Sequence, residues 1–378
     1  MTPSKIGINL LWLVPDVVGG TEEYTTRLLH GIAGRGSSEI AITLYVNRSF
    51  AAAHPGLVAA YPTVVAPIDG RNKPRRVFAE STWLARRARV DGVEVLHHAG
   101  GTIPAVRSVP AMVTIHDLQP LVLPARFNAV KQHYLRRRLP SSVEHSRLVV
   151  AVSEHTRTTI IELLGVDPDR VLVVSPGFDS APAPDPPDEP SRTHAIDRPY
   201  FLYPAIAYPH KNHTVLLRAF ARVAETQDVL LVLTGGEGPA EEVVAQEIAA
   251  LGIGPRVRKL GRVPRAELDW MVRHAVALTF PSRYEGFGLP VLEAMGNGCP
   301  VIGATSTALP EVISSAGHLV DPDDVGGWAA AMLELLTDPD RRQRLVEAGI
   351  ARSATYGWER SVEAALVAYR CALRMGAS

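Results

Sequence analysis

Short apolar runs alternate with longer segments of mixed polarity along the whole chain. The runs are nearly unbroken, which is typical of strands that are buried on both faces of a parallel sheet. Strands are predicted at residues 6–13, 40–46, 94–97, 111–116, 148–152, 171–174, 229–233, 257–260 and 275–280. Helices are predicted in a segment ending near 33 and at about 74–90, 129–145, 154–164, 214–224, 325–336, 341–351 and 360–374. This alternation indicates βαβ units, and therefore an α/β fold with parallel sheets.

The length of the chain predicts two domains. A single hydrophobic core rarely serves as many as 378 residues. The proline-rich stretch at 181–190 has the composition of an extended linker, because repeated prolines exclude a helix. A domain boundary is therefore expected within 178–198.

Charge is balanced over the whole chain but not between its halves. Residues 1–178 carry 20 lysines and arginines against 14 acidic residues, whereas residues 179–378 carry 19 against 25. Basic clusters at 71–76, 86–89 and 136–138 produce the positive half. A solvated face is the ordinary interpretation of such clusters, and a surface that meets an anionic membrane or a diphosphate-linked acceptor is the alternative. No nucleic-acid-binding module is visible, so DNA and RNA are not expected as partners.

Two features bear on the compartment. The apolar run at 6–14 is too short to span a membrane and lacks a small-residue cleavage site, so it is interpreted as the first strand. Cys299 and Cys371 form neither a disulfide framework nor a metal-binding set, and Cys299 is expected to pack in the core. A cytoplasmic protein is expected, with peripheral binding to the inner face of the plasma membrane as an extension.

Residues 277–298 are the most informative stretch. They predict a buried strand, a glycine-rich turn and a helix, with Gly286 and Gly288 in the turn. The N–H groups of such a turn and helix start favour an anion, above all a diphosphate. Glu285 precedes the turn and Glu293 lies in the helix, so hydrogen-bond acceptors flank the expected phosphate site.

Other segments place polar groups where parallel strands end. Gly19 and Gly20 follow the first strand and open a helix, as a second anion-binding turn would. His116 and Asp117 end the strand at 111–116, where ligands bind to open α/β sheets. Lys211 lies near a helix start at the sheet edge, where a fixed cation can neutralise a departing phosphate.

These motifs resemble one family. The string E-G-F-G-L-P-x-x-E-A-M at 285–295 resembles the E-x7-E motif of the retaining glycosyltransferases of family 4, which have the GT-B fold. The T-x-H-D string at 114–117 and the P-H-K-N-H string at 209–213 resemble further family segments, and Trp358-Glu359 resembles the closing one. The resemblance covers nearly the whole chain, and is strongest at 199–322 and weakest at 48–92.

The resemblance implies a fold and its domains. The expected fold is α/β of the GT-B type, with two Rossmann-like domains that face each other across a cleft. The first, acceptor-side domain is expected at 1–178, together with a C-terminal helix at 360–378 that crosses back to it. The second, nucleotide-sugar-binding domain is expected at 199–359.

The resemblance also assigns roles to single residues. His116 faces the transferred sugar, Lys211 offsets charge on the leaving diphosphate, and Glu285 orients the sugar hydroxyls. Glu293 holds the ribose. The remaining donor-binding residues are expected to be Gly19, Gly20, Asp117, His210, Gly261, Arg262, Val263, Gly286, Phe287, Gly288 and Leu289. His210 stands where the family more often has Arg, and Ala205-Ile206 replaces a common Gly-Arg pair, so phosphate binding depends more on Lys211 and on backbone N–H groups.

The expected reaction is transfer of a hexosyl or deoxyhexosyl group, mannose-like and with GDP-mannose favoured, from a nucleotide-diphosphate sugar to an acceptor hydroxyl. Retention of configuration is implied by the family. The acceptor is a glycan, a lipid-linked sugar or a small molecule, and the setting is polysaccharide or lipopolysaccharide assembly. No cofactor is expected. No Asp-x-Asp metal motif is recognised, and a divalent ion is expected to be unnecessary, since helix termini and Lys211 can do the work of a metal.

Two alternatives belong to other functional classes. A sugar-nucleotide epimerase of the same fold would need no acceptor, although it should lack the E-x7-E motif. The presence of Glu285, Glu293, Lys211 and His116 argues against a non-catalytic nucleotide-sugar-binding protein, whereas the missing Gly-Arg pair at 205–206 keeps that alternative open. A phosphorylase is set aside, because the chain is short for that class and no cofactor-linked lysine is apparent.

Overall fold

The computed structural model of the protein describes residues 2–15, 17, 19–123, 129–179, 186 and 189–375. Two compact units make up the chain, which are called unit 1 (Met1–Gly177 with Trp358–Ser378) and unit 2 (Phe178–Gly357). Most of the linker predicted at 181–190 lies outside the described residues. At its end Pro190 begins a one-turn helix, so the expectation that proline excludes a helix is wrong there. Proline suits a first helical position, where its missing N–H would have no partner in any case.

Unit 1 contains a seven-stranded parallel sheet. Its strands are β1 (Ser4–Leu10), β2 (Ile40–Val46), β3 (Thr63–Val65), β4 (Val95–His98), β5 (Ala111–Ile115), β6 (Leu148–Ala151) and β7 (Val171–Val173), in the order β3-β2-β1-β4-β5-β6-β7. The central strands β4, β5 and β6 are buried at every position, as their continuous apolar runs predict.

Unit 2 contains a six-stranded parallel sheet. Its strands are β8 (Tyr200–Pro204), β9 (Leu230–Thr234), β10 (Val257–Gly261), β11 (Ala277–Phe280), β12 (Val301–Ala304) and β13 (His318–Val320), in the order β10-β9-β8-β11-β12-β13. The chain thus forms two Rossmann-like sheets, which confirms the predicted fold class.

Helices connect most successive strands in both units, whereas β4 and β5 are joined by a loop. They are α1 (Gly20–Arg35), α2 (Arg48–Ala53), α3 (Pro55–Ala60), α4 (Lys73–Ala79), α5 (Ala85–Val90), α6 (Gln119–Val122), α7 (Ala129–Glu144), α8 (Glu154–Leu164), α9 (Pro190–Thr193), α10 (His213–Ala224), α11 (Glu241–Ala250), α12 (Arg265–His274), α13 (Leu289–Gly296), α14 (Leu309–Ile313), α15 (Val325–Thr337), α16 (Pro339–Ser353) and α17 (Trp358–Arg374). A π-helical turn, Glu80–Leu84, joins α4 to α5. None of the helices within the described residues combines the length and the apolar composition that a bilayer crossing requires.

The last helix completes unit 1. Helix α17 packs against α1 and β6, and its buried face is mostly apolar but carries two hydroxyl groups. Both hydroxyls find partners in unit 1: Ser361 Oγ donates to the carbonyl of Ser175 at 2.7 Å, and Tyr369 Oη lies 3.1 Å from Nδ1 of His97. The C-terminal helix therefore belongs to the first unit, as the resemblance implied.

The strand order fixes where ligands can reach each sheet. Strand order reverses between β1 and β4 in unit 1, and between β8 and β11 in unit 2. In open α/β sheets, ligands bind beyond the carboxyl ends of the strands at such a reversal. A ligand site is therefore expected at the segments that follow these four strands.

Candidate active site

Lys211 and Glu285 form an ion pair at the strand reversal of unit 2. Lys211 follows β8, Glu285 follows β11, and Nζ lies 2.5 Å from Oε1. Both side chains are mostly buried, with 18% and 14% of their surfaces exposed. The following Asn212 has a left-handed φ of 59°, and its amide donates to the carbonyls of Pro281 and Pro322. These contacts fix the turn, so the structure brings together the two side chains that the sequence assigned to catalysis in this unit.

The glycine-rich turn runs from Glu285 into α13. Gly288 has a φ of 102°, which disfavours any residue with a side chain, and an added Cβ would lie 2.7 Å from Leu309. Leu289 is the first residue of α13, so its N–H belongs to the helix start that favours anions. Gly286 is half-buried beside it.

The side chain of Phe287 is not available to a ligand. It is 5% exposed and meets the ring of Tyr356 edge-on, with centroids 5.6 Å apart. Only the backbone of Phe287 can therefore take the predicted donor-binding role, while its ring anchors the turn to unit 2.

A polar loop after β12 supports this turn, and sequence reasoning missed it. Thr307 Oγ1 accepts a hydrogen bond from the Glu285 N–H at 2.9 Å, and Ser306 Oγ donates to the carbonyl of Ser282 at 2.5 Å. Thr307 has a φ of 50°, a strained conformation for a β-branched residue. The signal was the run of hydroxyl residues at 305–307, directly after a buried strand end.

Glu293 is held by a cation that the sequence analysis did not single out. Arg265 Nη1 lies 3.1 Å from Oε1 of Glu293, and Arg265 Nε donates to Asp269 at 2.8 Å. Only 17% of the Glu293 side chain is exposed. Arg265 therefore holds the carboxylate of Glu293 in one direction before any ligand binds. The Pro264-Arg265 pair after Val263 was the available signal.

The predicted donor-binding residues Gly261, Arg262 and Val263 lie at the carboxyl end of β10. Gly261 has a φ of 65°, and its carbonyl accepts the N–H of Gly235 at 2.8 Å. Arg262 is exposed and lies across Gly236, where an added Cβ would lie 3.2 Å from its Nε. Val263 is half-buried. A cavity of about 340 Å³ adjoins this segment. Its lining includes Ala205, His213, Thr234, Gly235, Gly236, Glu241, Lys259 and Gly261.

His210 lies in a single 3₁₀ turn, Pro209–Lys211. Its ring stacks on Tyr208 with centroids 5.6 Å apart, and its carbonyl accepts the N–H of Arg283 at 2.8 Å. The backbone of His210 thus ties the turn that carries Lys211 to the segment that carries Glu285. Contact of its imidazole with a phosphate stays a prediction.

His116 follows β5 in unit 1. Its Nε2 lies 2.8 Å from the carbonyl of Ala99, so Nε2 carries the proton and Nδ1 presents a lone pair. Burial lowers the pKa of His116 to about 4, against the smaller opposing effect of that hydrogen bond. The ring is therefore neutral at pH 7, and can accept a hydrogen bond from a sugar hydroxyl but not donate a second one.

The other predicted residues of unit 1 lie near strand ends. Asp117 Oδ1 accepts the N–H of Gln119 at 2.9 Å, so this carboxylate stabilises the start of α6. Gly19, with a φ of 60°, precedes α1, and Gly20 is its first residue. Both glycines are exposed, and an added Cβ would meet nothing within 4 Å at either position. Binding of a diphosphate there stays a prediction.

The basic clusters lie on the surface of unit 1. Arg71 and Arg75 are exposed, and Asn72 between them caps α4 by accepting the Arg75 N–H at 3.0 Å. Phe78 on the same helix is 70% exposed. An exposed aromatic ring among cations is compatible with an anionic membrane surface, which stays a prediction.

Three Asp-Pro-Asp triplets occur in the chain, at 167–169, 321–323 and 338–340. Their first carboxylates are used locally. Asp167 accepts the Asp169 N–H at 3.0 Å, Asp321 accepts the Asp323 N–H at 2.8 Å, and Asp338 caps α16. These triplets are turns and helix caps. Within the described residues, no three His, Cys, Asp or Glu side chains are grouped as a metal site would need.

Buried neutral histidines predict a pH-dependent stability of unit 1. Burial lowers the pKa of His97 and His98 to about 3, and that of His116 to about 4. In the unfolded chain each would titrate near 6.5, so unfolding takes up protons below that pH. The stability is fully present above pH 6.5, and each group should remove up to about 1.4 kcal/mol per pH unit as the pH falls towards its folded value. Urea unfolding at pH 7, 6 and 5 measures this slope.

The exposed His145 provides the control for this prediction. His145→Gln should leave the slope unchanged, whereas His116→Gln should make it shallower. An unfolding free energy that does not change between pH 7 and pH 5 would contradict the prediction.

Sequence comparisons match both units. The sequence model described as Glycosyl transferases group 1 matches residues 187–352, and the one described as Glycosyltransferase Family 4 matches residues 18–182. O-antigen chain mannosyltransferase B of Escherichia coli is 30% identical over 303 residues, which cover 79% of this chain and 77% of that protein. A D-inositol 3-phosphate glycosyltransferase of Xylanimonas cellulosilytica is 29% identical over 386 residues, which cover 93% and 91%.

Solved structures agree on the fold. HepE of Anabaena, solved in complex with UDP and glucose, superposes with a TM-score of 0.75 at 18% identity, covering 97% of this chain and 99% of that one. A glycosyltransferase of Rickettsia africae gives a TM-score of 0.76 at 16% identity, covering 99% and 100%. With its two sheets, its sequence matches and these structural likenesses, the chain belongs to glycosyltransferase family 4, the glycosyl transferases of group 1, and has their GT-B fold.

Proposed function

We propose that this protein transfers a hexosyl or deoxyhexosyl group, mannose-like, from a nucleotide-diphosphate sugar to an acceptor hydroxyl with retention of configuration. The observation that carries the proposal is the Lys211–Glu285 pair at the strand reversal of unit 2, beside a glycine turn that opens a helix. The name of the E. coli relative supports a mannosyl donor and O-antigen assembly, and the UDP and glucose bound to HepE support a nucleotide-sugar donor.

A bound donor would break the ion pair between Lys211 and Glu285, because the lysine would contact its diphosphate and the glutamate its sugar. Lys211 Nζ and Glu285 Oε1 neutralise each other, and an arriving diphosphate offers the cation a second anionic partner. Glu285, once released from the ammonium, accepts hydrogen bonds from sugar hydroxyls. Glu293, which Arg265 orients from 3.1 Å, accepts from the ribose. Each side chain then contacts a different part of one ligand.

The transfer step then needs little covalent chemistry from the protein. The bond between the anomeric carbon and the diphosphate oxygen breaks, and a bond from that carbon to the acceptor oxygen forms on the same face. The proton of the acceptor hydroxyl passes to the departing diphosphate. Lys211 and the backbone N–H groups of the glycine turn that leads into Leu289 offset the charge that develops on the diphosphate, so catalysis is mainly charge stabilisation and positioning.

The helix start and Lys211 also make a metal ion unnecessary in this proposal. We expect glycosyl transfer from GDP-mannose to methyl mannosides or to an O-antigen acceptor to continue in excess chelator. If chelator abolishes the activity and magnesium or manganese restores it, metal independence is wrong. That result would not contradict the proposed glycosyl transfer.

Nucleotide binding and analysis of the reaction products test the proposed function. Nucleoside diphosphates should stabilise the protein in a thermal-shift panel of UDP, GDP, ADP and dTDP, by about 2.7 kcal/mol at 100 times the Kd. Transfer of the sugar with retained configuration supports the proposal. Epimerised sugar nucleotide without an acceptor product would identify an isomerase instead. Binding of a nucleotide sugar without any turnover would identify a non-catalytic binding protein.

A further inference from the structure

Trp12 lies at the strand reversal of unit 1, directly beyond β1. The residue is half-buried, and its indole Nε1–H donates to the carbonyl of Asn9 at 3.1 Å. Its ring rests on Gly100, the second residue after β4, where an added Cβ would lie only 2.5 Å from Trp12 Cγ. Because Gly100 has no side chain, the ring lies flat against the backbone. The indole is therefore fixed in place, with its hydrogen-bond donor already used.

The neighbouring residue fixes His116. Ala99 accepts the Nε2 proton, which leaves the Nδ1 lone pair of His116 without a donor among the described residues. The rings of Trp12 and His116 are 6.4 Å apart at an interplanar angle of 49°. The Ala99-Gly100 segment thus places an aromatic face and a hydrogen-bond acceptor side by side at the carboxyl edge of the sheet.

This combination selects a particular class of ligand. A sugar ring has an apolar C–H face that packs on an aromatic ring, and hydroxyl groups that donate to a lone pair. An anion would be disfavoured, because the face of an aromatic ring is its negative side and a neutral His with a free lone pair offers no proton. Sites of this kind combine aromatic walls with a few placed polar groups.

We propose that the indole of Trp12 is the platform for the acceptor, and that the reactive end of the acceptor is an uncharged sugar ring. The sugar stacks on Trp12 beside His116. This inference rests on the proposed function, since it names the acceptor of the same reaction. It makes the acceptor a glycan or a lipid-linked sugar, and excludes a bare phosphate group as the recognised feature.

Ligand-observed NMR with methyl glycosides tests the proposal without a donor. The probes are the methyl glycosides of mannose, glucose, galactose and N-acetylglucosamine, with mannose 6-phosphate as a charged comparison. We expect at least one methyl glycoside to bind the parent protein, and Trp12→Ala to weaken that binding by about tenfold, as loss of a large aromatic contact should. Trp12→Phe keeps a ring and should retain most of the affinity. Gly100→Ala displaces the indole and should resemble Trp12→Ala.

Trp83 provides the matched control. It is partly buried in unit 1 and packs on Tyr45 and its surrounding core. Trp83→Leu should bind glycosides as the parent does. Equal glycoside binding by Trp12→Ala and the parent would overturn the proposal, and so would a parent protein that binds none of the glycosides or only mannose 6-phosphate. Nucleoside diphosphate affinity, measured in the same samples, reports separately on the proposed function. A parent protein that binds no nucleoside diphosphate would count against the proposed donor site.

Discussion

Lys211→Ala should lower kcat by about a hundredfold to a thousandfold, which is the usual cost of removing one group that stabilises developing charge. The ammonium is the cation paired with Glu285 at the strand reversal of unit 2, and only 18% of its side chain is exposed. In this low-dielectric position its charge acts strongly on a departing diphosphate. Steady-state kinetics with GDP-mannose and a glycoside acceptor measures the effect.

An ion pair on the surface supplies the control. Arg218 and Glu247 are paired at 2.6 Å, with 54% of the arginine side chain exposed. Arg218→Ala should leave kcat unchanged, because exposed pairs contribute little. Lys211→Ala with full kcat would remove this residue from catalysis. Since Lys211 and Glu285 are in contact, the double variant should lose less than the two single variants together.

Glu285→Gln and Glu293→Gln should have different kinetic signatures. Glu285 is assigned to the transferred sugar, whose charge changes most in the transition state, so Glu285→Gln should lower kcat and leave nucleoside diphosphate affinity nearly unchanged. Glu293 is assigned to the ribose, which is the same in the ground and transition states, so its loss should raise KM more than it lowers kcat. A hydrogen bond to a charged group is worth roughly 1.5–3 kcal/mol, so each effect should be about tenfold to a hundredfold.

Arg265→Ala separates a binding role of Glu293 from a structural one. If the role of Glu293 is only structural, through its pair with Arg265 at 3.1 Å, then Arg265→Ala should weaken nucleotide binding as much as Glu293→Gln does. If Glu293 contacts the ribose directly and Arg265 only orients it, Arg265→Ala should weaken nucleotide binding less than Glu293→Gln does. Glu293→Gln with parental nucleotide affinity, or Glu285→Gln with full kcat, would show that the two roles are wrongly assigned.

Buried strands and well-capped helices could be predicted from the sequence. The strand at 40–46 and the helix at 154–164 have the predicted bounds, and Ser153 caps that helix by accepting the Thr156 N–H at 3.0 Å. In both cases the local sequence preference agrees with the conformation and burial that the segment has in the folded protein. The three-residue strand β3 and the short helices α2 and α3 were missed, because their patterns are too brief to stand out.

The site was predicted less completely than the fold. Sequence patterns identified the Lys211 and Glu285 turns, because glycines and a lone charge at strand ends are visible along the chain. They could not show that the two side chains pair with each other, since 74 residues separate them and only the sheet order brings them together. For the same reason, the sequence did not predict roles for Arg265, Thr307 and Trp12, because these roles depend on partners that lie far away in sequence.

The predicted use of Phe287 shows a further limit. Sequence reasoning treated every residue of the turn as donor-binding, whereas the ring of Phe287 is buried against Tyr356. A motif shows which residues occur together but not which of their atoms face the ligand. Side-chain burial separates the two roles within one turn.

The position of α17 has a consequence for biosynthesis. Residues 1–177 are synthesised before unit 2, yet the helix that covers α1 and β6 is synthesised only after all of unit 2. Until then unit 1 lacks the buried face of α17, which includes Val362, Leu366 and Tyr369. Unit 2 is contiguous and has no such dependence, so we expect it to reach a protease-resistant state on the ribosome before unit 1 does. Limited proteolysis of stalled nascent chains would reveal that order, and the exposed apolar surface on α1 and β6 would make unit 1 the part of the chain that needs chaperones during synthesis.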